Sequence, residues 1–272
     1  MKSQLRRGLT VVIALLLTAT TYGISDVALA KTTDASDLWW VPTESGWGIQ
    51  LVEEETTIFA TIYVYGPDDK PTWYTALMSH QGAGTFTWSG TLNATTGPWF
   101  GAVPYNPGQV TVTPVGVMTF VLTTVGRGTL TYSVNGTNIV KQIERFTLVN
   151  QDFSGTYAGT LSLKGNGLPC PPALDTPGTP ATFKITQSGS AVTIVSQTST
   201  DTCTVNGGYG QFGHFGDVNG SYTCASGDSG TAAVFEMAIS FYEFRARTTT
   251  TSVTGCVTKG YVDGLNQPPP AQ

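Results

Sequence analysis

Charge is what this chain has least of. Only 11% of its 272 residues are Lys, Arg, Asp or Glu, against roughly 25% in an average globular protein. Beyond residue 30 the basic residues stand singly, so no face can displace the counterions of a nucleic acid. Histidine occurs twice, at His80 and His214, too sparsely for the clustered imidazoles of a catalytic zinc site. No C-x-x-C spacing links the four cysteines, which argues against a zinc ribbon. Helical periodicity with caps is missing beyond residue 30, and no apolar run reaches the ~20 residues that span a bilayer. Tryptophan is confined to the first half and cysteine to the second.

What remains is rich in Gly, Thr, Ser and Val, the composition of a β protein whose outward strand positions carry hydroxyls. The first thirty residues read as a secretory signal: basic Lys2, Arg6 and Arg7, the apolar core Leu9 to Leu17, then Ala28-Leu29-Ala30 as a small-x-small cleavage site. Cleavage after Ala30 would start the mature chain at Lys31 and direct it to the periplasm or beyond. Without Lys2, Arg6, Arg7 and Asp26, ten of the thirteen basic and seventeen of the eighteen acidic residues remain, a net charge of −7. That sign repels phosphates and anionic lipid, so neither nucleic acid nor insertion of the mature chain into a membrane is expected.

The clearest pattern is Leu38 to Met78. Trp47, Ile49 and Leu51 alternate with Gly48 and Gln50, the turn Glu53-Glu54-Glu55 follows, and Thr57 to Tyr65 is β-branched or aromatic almost throughout. Gly66 to Pro71 reverses the chain again. Strands are expected near 38–42, 46–53, 57–65, 72–79, 84–92, 109–114, 117–124, 128–134 and 138–148, with Asn135-Gly136 as a type I′ hairpin turn. Nine short strands with tight turns suggest an up-and-down meander, which loses its edges most simply by closing into a barrel.

The blocks WWVPTESGWGIQL, FATIYVYGPDDKPTWY, TTGPWFGAVPYNP, VTPVGVMTFVL and LTYSVNGTNIVKQIERF, over residues 38–148, closely resemble a β domain that recurs in exported proteins of Gram-negative bacteria. Val41 stands where that pattern usually has Asn, and Asp69 where it has Gly. The resemblance implies location and architecture, not chemistry.

The second half opens with Phe153-Ser154-Gly155-Thr156-Tyr157, similar to the first strand of calycin-type barrels, followed by a Pro-rich loop, Gly167 to Pro180. Strands recur at 181–187, 191–197, 200–206, 219–225, 230–239, 241–248 and 252–261. The expected plan is a signal peptide (1–30), a polar leader (31–37), a Trp-rich β domain (38–149), a disulfide-bonded β domain (150–265) and a loose tail (266–272). Both domains are all-β and antiparallel, each an up-and-down barrel or curled sandwich. Four cysteines in an exported chain read as two disulfides with three pairings open. Cys203 with Cys224 is favoured because they sit in strands flanking a Gly-rich segment, leaving Cys170 with Cys256.

Candidate chemistry is thin. Gly227-Asp228-Ser229-Gly230 resembles the nucleophile motif of chymotrypsin-type proteases, but neither histidine has the matching context, and a hairpin turn is the simpler reading. His214 sits in a Gly-rich stretch, 207–217, that reads as a crossover. Glu53, Glu54, Glu55, Asp68 and Asp69 lack calcium-loop spacing. No metal, cofactor or catalytic set is expected. Six tryptophans between Trp39 and Trp99 are more than a small core needs, and adjacent Trp39 and Trp40 must point to opposite faces of a strand. The leading reading is therefore a non-enzymatic module that binds a small apolar ligand or cell-surface glycan through Trp40, Glu44, Trp47, Trp73 and Tyr74. The alternatives are a hydrolase of an envelope polymer using Glu44 as acid or base, and a purely structural accessory protein.

Overall fold

The computed structural model describes residues 34–165, 170 and 176–267. The signal peptide, most of the polar leader and all of the tail beyond Gln267 lie outside the described residues. Sixteen strands form two closed, eight-stranded antiparallel barrels, each a meander in which neighbours in sequence are neighbours in the sheet.

The first barrel comprises β1 (Asp37–Trp40), β2 (Gly48–Glu54), β3 (Thr57–Tyr65), β4 (Pro71–His80), β5 (Thr87–Thr96), β6 (Thr111–Thr124), β7 (Arg127–Val134) and β8 (Thr137–Arg145). It closes where Trp39 and Trp40 pair with Arg145 and Glu144. The period of two sends Ile58, Ala60 and Ile62 inward from β3, each fully buried, while Phe59 and Tyr63 face out. Trp39, Trp88 and Phe120 meet at the centre, with ring centroids 5.2 and 6.0 Å apart. Eight strands enclose just enough room for such side chains, and these rings occupy the interior where they meet.

Two expectations change here. The stretches 109–114 and 117–124 are one strand: Pro114 and Gly116 look like a break in the sequence, yet β6 stays paired with β5 through a register shift between Leu92 and Asn93, as bulged strands do. The first barrel therefore has eight strands, not nine. Residues 34–37 are no idle leader either, since Ala35 is fully buried. The hairpin at Asn135-Gly136 does adopt positive φ at both residues.

The second barrel runs β9 (Gly155–Gly165), β10 (Thr176–Ser188), β11 (Ala191–Gln197), β12 (Thr202–Phe212), β13 (Phe215–Cys224), β14 (Ser229–Ile239), β15 (Glu243–Ser252) and β16 (Val257–Asn266), and closes between β16 and β9. The Gly-rich crossover expected at 207–217 is instead strand: Gly207 to Phe212 complete β12 and turn at Gly213 into β13. Glycine is poor strand material by propensity, but pairing with β13 along the whole stretch, and with β11 at Gly207 and Gly208, overrides it. Disulfides join Cys203 to Cys224 across adjacent strands and Cys170 to Cys256, the residue just before β16. Such bonds form in oxidising compartments. No helix among the described residues is long and apolar enough to cross a membrane.

The β12–β13 turn docks on the first barrel. Gly213, at φ 62°, donates its N–H to Thr147 Oγ1 at 3.0 Å, and a Cβ there would collide with the Asp37 carboxylate. His214 Nδ1 lies 2.8 Å from Asp37 Oδ2. The buried Arg145 guanidinium contacts Asp37 at 3.1 Å and lies over Trp39 and Phe215, 4.6 and 5.0 Å from their ring centroids. His214 is thus part of a joint between barrels, not a lone surface histidine.

Candidate functional site

The two barrels have equal strand number but unequal filling. Where the first has Trp39, Trp88 and Phe120 inside, inward positions over much of the second hold Val205, Val234, Ser196, Thr248, Thr250 and Thr258. A cavity of about 530 Å³ results. Its floor is aromatic: Phe244 lines it and packs on Phe153 and Tyr157 behind it, with Tyr157 and Phe244 centroids 5.1 Å apart, and the Tyr157 hydroxyl donates to Phe153 O at 3.1 Å. Above this floor stand Phe183, Ile194, Val205, Val234 and Val262.

The other end is polar, and its groups come from the turns between alternate strands. Thr198, Thr200 and Asp201 belong to the β11–β12 turn, Ser226 and Asp228 to the β13–β14 turn, and Thr254 to the β15–β16 turn. An antiparallel meander places these alternate turns together at one end, opposite the docked β12–β13 turn. Both disulfides line the same region. The Asp201 carboxylate accepts from the backbone N–H of Thr202 at 2.8 Å and of Ser226 at 3.1 Å, and from the Ser226 hydroxyl. The Ser226 hydroxyl chiefly, opposed in part by burial, holds Asp201 below the usual carboxylate range. Asp228 accepts from the Tyr222 hydroxyl at 2.7 Å. Burial together with that carboxylate pushes the Tyr222 phenol up to about 12, so Tyr222 stays a donor. On β15 and β16, Thr248, Ser252 and Thr258 are buried hydroxyls, and Thr250 and Thr258 bond each other at 2.6 Å.

Asp201 also lies beside the sulfurs of Cys203 and Cys224, a grouping with metal-ligand spacing. Those sulfurs are joined to each other, so no thiolate is available to bind an ion. The Gly-Asp-Ser-Gly segment forms the turn into β14, with Asp228 held by Tyr222.

The residues singled out from the sequence lie in the first barrel and split into two groups. Glu44, Trp47 and Tyr74 gather at one end. Glu44 Oε2 accepts from Trp47 Nε1 at 3.0 Å and from Lys141 Nζ at 2.7 Å, and Lys141 lies 5.7 Å from the Trp47 ring centroid. Tyr74 and Trp47 pack against the barrel core. Trp40 lies apart, edge-on to Phe146 at 4.7 Å. Trp73 is 49% exposed on the outer face, opposite Tyr63 across β3 and β4. The hydrogen bond from Lys141, then that from Trp47, holds Glu44 below its ordinary range. A carboxylate so held is ionised at neutral pH and has no proton to give as a general acid.

Asp201, Tyr222 and Ser226 carry no signal of their own in the sequence, and Asp228 stands out there only within Gly227-Asp228-Ser229-Gly230. The signal available was compositional: the half without tryptophan must fill an equal barrel with smaller residues. Comparison with protein-family models and with curated protein sequences finds no match.

Proposed function

We infer that the protein is an exported, non-enzymatic binding protein whose site is the hollow of the second barrel, and that it holds a small, largely apolar molecule there. The observation that carries this reading is the contrast between a barrel with large rings at its centre and an otherwise similar hollow one. The hollow falls within the ~300–1,000 Å³ range of small-molecule sites, has an apolar floor and concentrates its polar groups at one end. Export rests on the basic and apolar N-terminal segment with cleavage after Ala30, and on the disulfides; recovery of a secreted form starting at Lys31 would support it, and a retained Met1 would refute it.

The test is a titration of the purified protein with the uncharged fluorophore N-phenyl-1-naphthylamine. Saturable enhancement is expected, and Val205→Phe and Val234→Phe, each checked by circular dichroism, should weaken it by obstructing the cavity. Equal enhancement by the wild type and both folded variants would remove the reading.

Trp73 and Tyr63, an exposed aromatic pair on one face, favour a second reading: a glycan held on the first barrel by stacking. Trp73→Ala should abolish retention on a glycan array; unchanged retention would exclude that surface.

A further inference from the structure

The cavity lining is one-sided in charge. Among the described residues it includes Asp201 and Asp228 and no Lys, Arg or His. The strand period explains where the nearest cations went. Leu163 points in and Lys164 out on β9; Thr258 points in and Lys259 out on β16; Lys164 and Lys259 pair with each other on the exterior. On β10, Lys184 is likewise exposed between buried Phe183 and Ile185. In sequence, the 166–175 connection contains no basic residue.

The rest of the polar wall is neutral about sign, because Ser and Thr hydroxyls both donate and accept. The carboxylates are not. Asp201 has its charge stabilised by N–H and O–H donors but not neutralised, and Asp228 is met by a phenol that remains protonated. An entering anion would lose water and meet two like charges, whereas an entering ammonium would gain charge-assisted hydrogen bonds. A metal ion fits less well. The only metal-like grouping that includes either carboxylate among the described residues is Asp201 with two disulfide sulfurs, and Asp228 does not converge with it.

We propose that the ligand of the second barrel is an amphiphilic amine, its apolar body on the aromatic floor and its protonated nitrogen at the mouth between Asp201 and Asp228. This deepens the cavity-binding reading and rests on it. The same arrangement discriminates against fatty-acid-type anions, which the cavity would otherwise suit by size and polarity.

The two can be tested together yet fail separately. Bound N-phenyl-1-naphthylamine is displaced from the purified protein at neutral pH by decylamine, decanol and decanoate, which share a chain and differ in head-group charge. Decylamine should displace at a concentration roughly 10- to 100-fold lower than decanol, the scale of a charge-assisted hydrogen bond, and decanoate should be weakest. Asp228→Asn, which leaves the Asp201 turn intact, should remove much of the amine advantage and leave decanol unchanged. Adding Asp201→Asn should remove the remainder. Should the double variant not fold, raising the salt concentration on the wild type should shrink the same advantage, because the mouth is open to solvent. Decanoate displacing as well as decylamine, or an amine advantage indifferent to Asp228→Asn, would overturn the amine assignment and leave cavity binding standing on decanol. Failure of all three to displace the dye would overturn both.

Discussion

Arg145 organises the first-barrel side of the joint and reaches the second barrel through the Phe215 ring. Its Nε donates to Val125 O at 2.6 Å, Nη1 to Ser36 O at 3.2 Å and Nη2 to Asp34 O, while Asp37 provides the opposite charge. Arginine can satisfy so many acceptors because its guanidinium is a planar array of five donors. Burial alone would push Asp37 up, but the His214 hydrogen bond and charge, the Leu38 N–H and Arg145 bring it below its ordinary value. A carboxyl whose folded pKa is depressed adds stability above the unfolded value and loses it as pH falls through the folded one. The stability gap between wild type and Asp37→Asn, measured by urea unfolding, should therefore be fully present above about pH 5 and narrow progressively below about pH 4. A gap that holds constant to pH 2 would show that the Asp37 charge does not support the joint. The sequence indicated that Trp39 and Trp40 face opposite ways, and Trp39 is the buried one. It could not indicate that residues 34–37 complete the joint, because their partners there, Arg145 and His214, lie more than a hundred positions away.

At the scale of elements, local patterning was legible wherever one face is buried. Strands β2, β3 and β4 begin and end close to where the alternation of residues places them. The failures share a cause. Pro114, Gly116 and the glycines between 207 and 213 have poor local strand preference, and pairing with a neighbouring strand holds them in the sheet. The disulfides are staples on elements at the cavity mouth. Cys203–Cys224 spans 21 positions and Cys170–Cys256 spans 86, so loop entropy assigns them about 3 and 4–5 kcal/mol respectively. Replacing each pair by serines should lower stability in that order in urea unfolding. A larger loss from the shorter loop would mean that native packing at the rim, not chain entropy, dominates.

At the scale of the molecule, the tryptophans and the cavity occupy different barrels. Trp39 and Trp88 are fully buried, Trp73 is 49% exposed and Trp99 is 69% exposed. Acrylamide should therefore quench emission in two distinct fractions, and a ligand entering the second barrel should leave tryptophan emission almost unmoved. A large shift in tryptophan emission on saturating the cavity would place the site elsewhere. The number of tryptophans left core packing and ligand binding equally open: Trp39 and Trp88 are buried filling of the first barrel, whereas the roomy interior arises where large side chains are scarce. Volume inside a closed sheet is a property of all the inward positions at once, and no short motif announces it.

Each sheet closes by joining its first strand to its last, Trp39 to Arg145 in one and Tyr157 to Asn266 in the other. Both seams therefore form between residues more than a hundred positions apart, and such non-local pairings must pay loop-closure entropy before they are rewarded. During synthesis, which delivers the amino terminus first, β1 and then β9 must wait with one side unpaired until the end of their own barrel emerges. The period of greatest risk for this protein is its own biogenesis, when an incomplete barrel can join to another chain as readily as to itself.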